Sequence, residues 1–96
     1  MQYFYRAHAA PERVLQQAEA YFTAHGFAGG SDGDGGSWSD MRGRIGLTVE
    51  IEGGHYTRVT VSTDDVGESE LDKLAKRFLA ELHAVEEPSH VVRGAY

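Results

Sequence analysis

Cysteine is absent from this 96-residue chain. Without thiols, the chain has no disulfide framework, no cysteine-ligated zinc site and no thiol nucleophile. No apolar run approaches the roughly 18 residues that a membrane-spanning helix needs. The N-terminal stretch also lacks the basic and long apolar segments of a secretory signal. These absences predict no membrane partner and a cytoplasmic location.

Positive charge is scarce, with nine Lys and Arg against fifteen Asp and Glu and a formal net charge of −6. Nucleic-acid binding requires a cationic face that neutralises phosphates, so no nucleic-acid partner is predicted. A hydrophobic content of 41% and a charged content of 25% are ordinary for a globular chain. The length predicts a single domain over residues 1–96, with a flexible glycine-rich connection at 27–36 and a partly frayed tail at 85–96.

Two helices are predicted from the spacing of apolar residues. Pro11 in the first turn and Gly26 as a C-terminal stop bound the first helix, roughly residues 11–25. The second helix follows Ser69, which can cap Asp72, and Asp72 with Lys76 is expected to form an exposed ion pair. Its apolar residues form an unbroken helical stripe, namely Leu71, Leu74, Ala75, Phe78, Leu79 and Leu82.

Four strands are predicted from alternating side chains. The first covers residues 2–9, and the third and fourth are the segments 44–52 and 56–63. A three-residue loop at 53–55 pairs Val49 with Val59 and sets Glu50 opposite Arg58. A two-residue turn would send the valines to opposite faces, so the longer loop is predicted.

The second predicted strand contains Trp38. A two-residue turn at Arg42 and Gly43 would place Trp38 opposite Leu47, on the inner face of the sheet. In the first strand, the tyrosines at positions 3 and 5 are predicted to face the same way.

The predicted fold class is α+β, with the element order β-α-β-β-β-α. We expect a four-stranded antiparallel sheet in the order 2-3-4-1, with two helices packed on one face. In this arrangement the glycine-rich residues 27–36 return the chain along the first helix. The order of elements resembles a shortened START-type helix-grip fold, or one half of a TATA-binding-protein-like saddle, and no sequence motif accompanies that likeness.

The stretch GGSDGDGGS, residues 29–37, combines five glycines with two aspartates. Read as an EF-hand loop from Asp32, it has glycine at later positions where a calcium ligand belongs. A phosphate-binding loop would need a lysine, which is missing here. The prediction is an exposed connection in which Asp32 and Asp34 bind no Ca²⁺. No metal ion or organic cofactor is predicted for the chain.

Histidine and carboxylate side chains are the candidates for catalysis. The densest group is His83, Glu86, Glu87 and His90, but Pro88 interrupts the helix on which they would converge. The sequence therefore favours a non-catalytic protein. The alternative is a hydrolase-like or metal-dependent enzyme built from clustered His and Asp residues.

Aromatic residues are the candidate binding groups. A first set would either line a cavity between helices and sheet or simply fill the core: Tyr3, Tyr5, Tyr21, Phe22, Trp38 and Phe78. On the opposite sheet face, we expect a homodimer interface of Phe4 and Tyr56 with Glu50 and Arg58 at its rim. The predicted function is a small binding or protein-interaction module, and the further alternative is a carrier of a small apolar ligand of unspecified identity.

Overall fold

The computed structural model describes residues 1–54, 56–64 and 69–86, without the side chains of residues 85 and 86. Its elements are β1 (Gln2–Ala7), α1 (Pro11–Ala24), β2 (Ala28–Asp32), β3 (Gly35–Asp40), β4 (Gly43–Glu52), β5 (Tyr56–Thr63) and α2 (Glu70–Glu86). Within these ranges, neither helix has the length and apolar character needed to cross a bilayer. The predicted tail beyond residue 86 lies outside the described residues.

The sheet has five antiparallel strands in the order β1-β5-β4-β3-β2. The prediction of a four-stranded sheet in the order 2-3-4-1 is therefore wrong in strand number. The four predicted strands do keep their predicted neighbours, and the additional strand, β2, is appended at the edge beside β3. Helix α1 contacts β2, β3 and β4, and α2 contacts β1, β4 and β5, so both helices pack on one face as predicted.

The additional strand comes from the glycine-rich stretch, for which the sequence predicts a connection outside the sheet. Gly30 pairs with Ser37, and Asp32 pairs with Gly35 across a two-residue turn. Gly33 in that turn has a φ of +64°, the positive value that primed hairpin turns require. Glycine and aspartate have low strand propensity, and backbone hydrogen bonds rather than side chains hold this pairing. The alternating side-chain pattern that predicts strands is therefore missing here.

The predicted register of the β4–β5 hairpin is confirmed. Val49 lies opposite Val59, and Glu50 lies opposite Arg58. The last pair joins Glu52 to Tyr56, so the loop has the predicted three residues, of which residue 55 lies outside the described part of the chain.

The β3–β4 turn differs from the prediction by one position. Asp40 pairs with Gly43, so the turn is formed by Met41 and Arg42, and Trp38 lies opposite Ile45 instead of Leu47. The Asp40 carboxylate accepts hydrogen bonds from the backbone N–H of Arg42 at 2.7 Å and from its Nε at 2.8 Å, which stabilises this turn. The pairing shifts by two residues, so Trp38 still faces the core.

The expected ion pair between Asp72 and Lys76 on the exposed face of α2 is wrong. Asp72 is fully buried, and the Thr63 hydroxyl donates a hydrogen bond to its carboxylate. The capping role of Ser69 is confirmed, because its Oγ accepts the backbone N–H of Asp72 at 3.1 Å. The first turn of α2 lies against the end of β5, so Asp72 faces Thr63 and not solvent.

Candidate interaction surface

The sheet face that points away from both helices, called the outer face here, is exposed to solvent. Two large rings lie on it, Phe4 with 55% of its surface exposed and Tyr56 with 42%. By contrast, the rings of Phe22, Trp38 and Phe78 are buried in the core. An exposed phenylalanine on an otherwise polar sheet face is a candidate contact for another protein.

The four predicted interface residues all lie on this outer face. The guanidinium of Arg58 lies over the Phe4 ring, 4.6 Å from its centroid, in a cation–π contact. The Tyr56 ring instead packs against His8, with 5.3 Å between ring centroids. Glu50 lies opposite Arg58 in the register, yet among the described residues it forms no ion pair.

Arg58 forms its ion pair with Glu52 and not with Glu50, its partner in the register. The Glu52 carboxylate lies 2.6 Å from Nε of Arg6 and 3.9 Å from Nη1 of Arg58. The hydrogen bond from Arg6 holds the pKa of Glu52 below its ordinary value and raises the pKa of Arg6. One carboxylate thus serves two guanidinium groups, while the neighbouring carboxylate of Glu50 forms no ion pair among the described residues.

Sequence reasoning places Arg6 on the outer face but missed Glu52 and its ion pair with Arg6. The predicted register contained a signal for Glu52, since it follows Glu50 by two positions and therefore shares its face. The register of β1 against β5 could not be predicted from the sequence, because no turn connects these two strands. In the structure this register places Arg6 directly opposite Arg58.

The remaining half of the outer face carries mainly small and acidic side chains, with the exposed Arg44 near the β3–β4 turn. Glycine, serine and threonine occupy the positions on β3 and β4 that lie level with Phe4 and Ser62: Gly35, Ser37, Gly46 and Thr48. Asp32 at the end of β2 and Asp34 in the adjoining turn are both exposed to solvent, as predicted. The outer face therefore has a bulky half that carries Arg6 and Arg58 and a flatter half in which carboxylates predominate.

Four of the six aromatic residues predicted to line a cavity pack against one another. Phe22 lies at the centre, with ring centroids 5.1 Å from Tyr21, 5.0 Å from Trp38 and 5.3 Å from Phe78. At these separations the rings are in contact. Their role as ligand-lining residues stays a prediction.

The other two predicted residues, Tyr3 and Tyr5, lie apart from this cluster beneath α2. The Lys76 ammonium lies 5.1 Å from the centroid of the Tyr3 ring. The Tyr5 hydroxyl lies 3.1 Å from Nδ1 of His83, within hydrogen-bond distance. Both tyrosines therefore join β1 to α2 rather than to the aromatic cluster.

A groove of about 330 Å³ lies between α1 and α2, and sequence reasoning did not identify it. Its residues are Gln17, Ala20, Tyr21, Ala24, His25, Phe78, Glu81 and Leu82. The Tyr21 hydroxyl donates to the carbonyl of Leu74 at 3.0 Å, and burial raises the pKa of this phenol. Nδ1 of His25 donates to the Tyr21 carbonyl at 2.8 Å, so Nε2 is the acceptor in the neutral ring.

Histidines and carboxylates are dispersed over the described part of the chain. These residues contain no group of three or more His, Cys, Asp or Glu side chains that could hold a metal ion. Glu87 and His90, which the sequence groups with His83, lie outside the described residues. Comparison with known proteins finds no protein family whose model matches this chain and no curated protein with significant sequence similarity to it.

Proposed function

We propose that this chain is a small, non-catalytic protein-interaction module that forms a homodimer through its outer sheet face. The observation that supports this most is the exposed Phe4 ring, which lies beside two guanidinium groups and one shared carboxylate. Glu50, unpaired among the described residues, lies on the same face. A face that carries both a guanidinium only partly neutralised by a shared carboxylate and a carboxylate without an ion pair is complementary to itself, which a two-fold dimer requires. A cytoplasmic location is part of the proposal and rests on composition alone.

The size of the outer face sets the expected affinity. Strands about 4.8 Å apart and residues about 3.3 Å apart give four strands and three outward rows an area of roughly 400 Å² per copy. The total of about 800 Å² lies below the range of stable complexes, so the dimer is weak and transient. A dissociation constant near 100 μM corresponds to about −5.5 kcal/mol, which is reasonable for one aromatic anchor with charged neighbours.

Sedimentation velocity between about 5 and 500 μM tests the proposal, because this range brackets the expected dissociation constant. The wild-type chain should pass from monomer to dimer across this series. Phe4→Ser should weaken the dimer by about thirtyfold, since truncation of a central aromatic residue typically costs 2 kcal/mol or more.

Met41→Ser is the matched control. Met41 is the most exposed of the large hydrophobic side chains among the described residues and lies in the β3–β4 turn, away from the outer face. It should leave the dimer unchanged. A wild-type chain that stays monomeric throughout, or a dimer that responds equally to both substitutions, would contradict the proposal.

The groove between the helices supports a second candidate function, a carrier of a small apolar ligand. Its volume of about 330 Å³ lies at the lower end of the range for small-molecule sites, and its floor is formed by Tyr21, Phe78 and Leu82. Indole is a suitable probe, since its ring can stack on aromatic side chains and its N–H can donate to His25. Binding followed by NMR should be lost in Ala24→Phe, which fills the groove, and retained in Phe4→Ser. No indole binding to the wild-type chain would dismiss this candidate.

A further inference from the structure

In the middle of the outer face, the register sets three rows of residues side by side across the strands, between the outward pairs Arg44–Ser39 at one end and Glu52–Tyr56 at the other. The first row joins Gln2, Ser62, Gly46 and Ser37, and the second joins Phe4, Thr60, Thr48 and Gly35. The third row joins Arg6, Arg58 and Glu50. On the far side of Glu50, the third row reaches the β2–β3 turn, because the Asp34 carbonyl accepts the backbone N–H of Val49 at 2.8 Å.

Bulk and charge change along the second and third rows from β1 towards β3. In the second row, the phenylalanine ring of Phe4 lies on β1 and Gly35 lies on β3, with Asp32 of the edge strand β2 beyond it. In the third row, the guanidinium groups of Arg6 and Arg58 lie at one end, and the Glu50 carboxylate and the turn that contains Asp34 lie at the other. Each of these two rows therefore has its complement within itself, in reverse order.

We infer that the two copies of the dimer are related by a two-fold axis that runs parallel to the strands, between β4 and β5. The inference rests on the proposed function, because it specifies how the outer faces meet. Rotation about this axis exchanges the two ends of every row and keeps each residue at its own level. The β1 and β5 strands of one copy then lie over the β3 and β4 strands of the other.

Three contacts follow from that rotation. The Phe4 ring lies over Gly35 of the second copy, where it meets backbone and no side chain. Arg58 lies over Glu50 of the second copy, which is unpaired in the described part of the monomer. Arg6 lies over the turn that carries Asp34 of the second copy, so the acidic hairpin acquires a partner of opposite charge.

The other two-fold arrangement in the plane of the sheets has its axis perpendicular to the strands. Each strand then lies over the same strand of the second copy, so that Phe4 faces Phe4 and the arginine-bearing half faces the arginine-bearing half. Like charges brought together at an interface are unfavourable, and the flat halves would face each other across a gap. Charge and shape both favour the axis parallel to the strands.

Charge reversal in two separate chains tests the axis. In Arg6→Glu and in Asp34→Arg, each homodimer contains two like-charge contacts, so self-association should weaken by at least about tenfold. In an equimolar mixture, the heterodimer brings the two substituted side chains, which are of opposite charge, together at one contact. Its other contact joins the native Asp34 to the native Arg6.

Both contacts of this heterodimer are attractive, so the mixture should dimerise to within about threefold of the wild-type constant. Sedimentation of the mixture, and NMR titration of labelled R6E with unlabelled D34R, measure this recovery.

Arg13→Glu provides the control for net charge. Arg13 is an exposed residue on α1 and makes no ion pair among the described residues. R13E keeps the native outer face and should form its own homodimer, so NMR titration of labelled D34R is the readout: unlabelled R13E should bind it more weakly than unlabelled R6E does, because one of the two contacts joins like charges. If wild-type dimers respond to Phe4→Ser but R6E with D34R gives no recovery, the axis is wrong and the proposed function stands. If the wild-type chain does not dimerise, the proposed function fails, and this inference fails with it.

Discussion

Arg6 and Arg58 lie directly opposite each other on the neighbouring strands β1 and β5. Like charges at such a position are unfavourable, and the Glu52 carboxylate offsets their repulsion through its contacts with both guanidinium groups. This arrangement stabilises the pairing of β1 with β5. It also leaves Glu50, on the same face, without an ion pair among the described residues, which is the basis of the proposed self-association.

The contribution of Glu52 should depend on pH. Its folded-state pKa is lower than the ordinary value of 4.5 because the carboxylate accepts a hydrogen bond from Arg6. The stabilisation is therefore fully present above pH 4.5 and is lost as the pH falls through the folded-state pKa. We expect Glu52→Gln to lower the melting temperature at neutral pH, and the difference from wild type to disappear in acid.

Glu50→Gln is the matched control for that measurement. Glu50 lies on the same strand and face but forms no ion pair among the described residues. Thermal unfolding at about 5 μM, where a dimer of the expected affinity is dissociated, should give E50Q the wild-type pH dependence. Equal effects of the two substitutions would show that Glu52 has no special role.

The hydrogen bond from Thr63 to Asp72 should be a main determinant of how α2 is attached to β5. Thr63→Val keeps the shape of the side chain but removes the donor to a fully buried carboxyl group. The free energy of unfolding in urea should fall by about 1–3 kcal/mol. Thr63→Ser keeps the hydroxyl and should lose much less, so a serine variant as unstable as the valine variant would refute this assignment.

Stability and self-association should separate cleanly between two phenylalanines. Phe22 is fully buried at the centre of the aromatic cluster, and Phe22→Ala should cost about 3–5 kcal/mol of unfolding free energy. Phe4 is mostly exposed, and Phe4→Ala should change stability by less than about 0.5 kcal/mol while it weakens the dimer. A large loss of stability in F4A would mean that its ring belongs to the monomer's fold.

The glycine-rich hairpin should be an ordered pair of strands that binds no calcium. NMR should detect cross-strand contacts between the backbones of Gly30 and Ser37, which are partners in the register. Addition of Ca²⁺ should leave the amide resonances of Asp32 and Asp34 unchanged, because these carboxylates do not belong to a group of metal ligands in the described residues. Calcium-dependent shifts in this turn, or missing contacts across it, would contradict the assignment.

Several parts of this structure could be predicted from local sequence patterns. The phase of apolar residues determined the β4–β5 register, because a one-residue slip would have moved Val59 to the wrong face. The same reasoning found both helices and the common face of Phe4, Tyr56, Glu50 and Arg58. In each case the side-chain pattern alone carried the information.

Features that leave no pattern in the side chains, or that depend on contacts distant in sequence, could not be predicted. Strand β2 contains Gly29 and Gly30 and no branched side chain, so its pairing is a matter of backbone hydrogen bonds with β3. The burial of Asp72 depends on Thr63, which only the packing of α2 brings near it. The groove between the helices likewise depends on how far apart α1 and α2 pack.

Concentration-dependent NMR shifts test the central claim, that the chain self-associates through its outer sheet face, most directly. Between about 20 and 500 μM, a range that spans the expected dissociation constant, amide resonances of Phe4, Thr48, Thr60 and Ser62 should shift progressively. Resonances of the groove residues Ala20, Ala24 and Glu81 should stay fixed. Spectra that do not change with concentration, or shifts confined to the helices, would contradict the account.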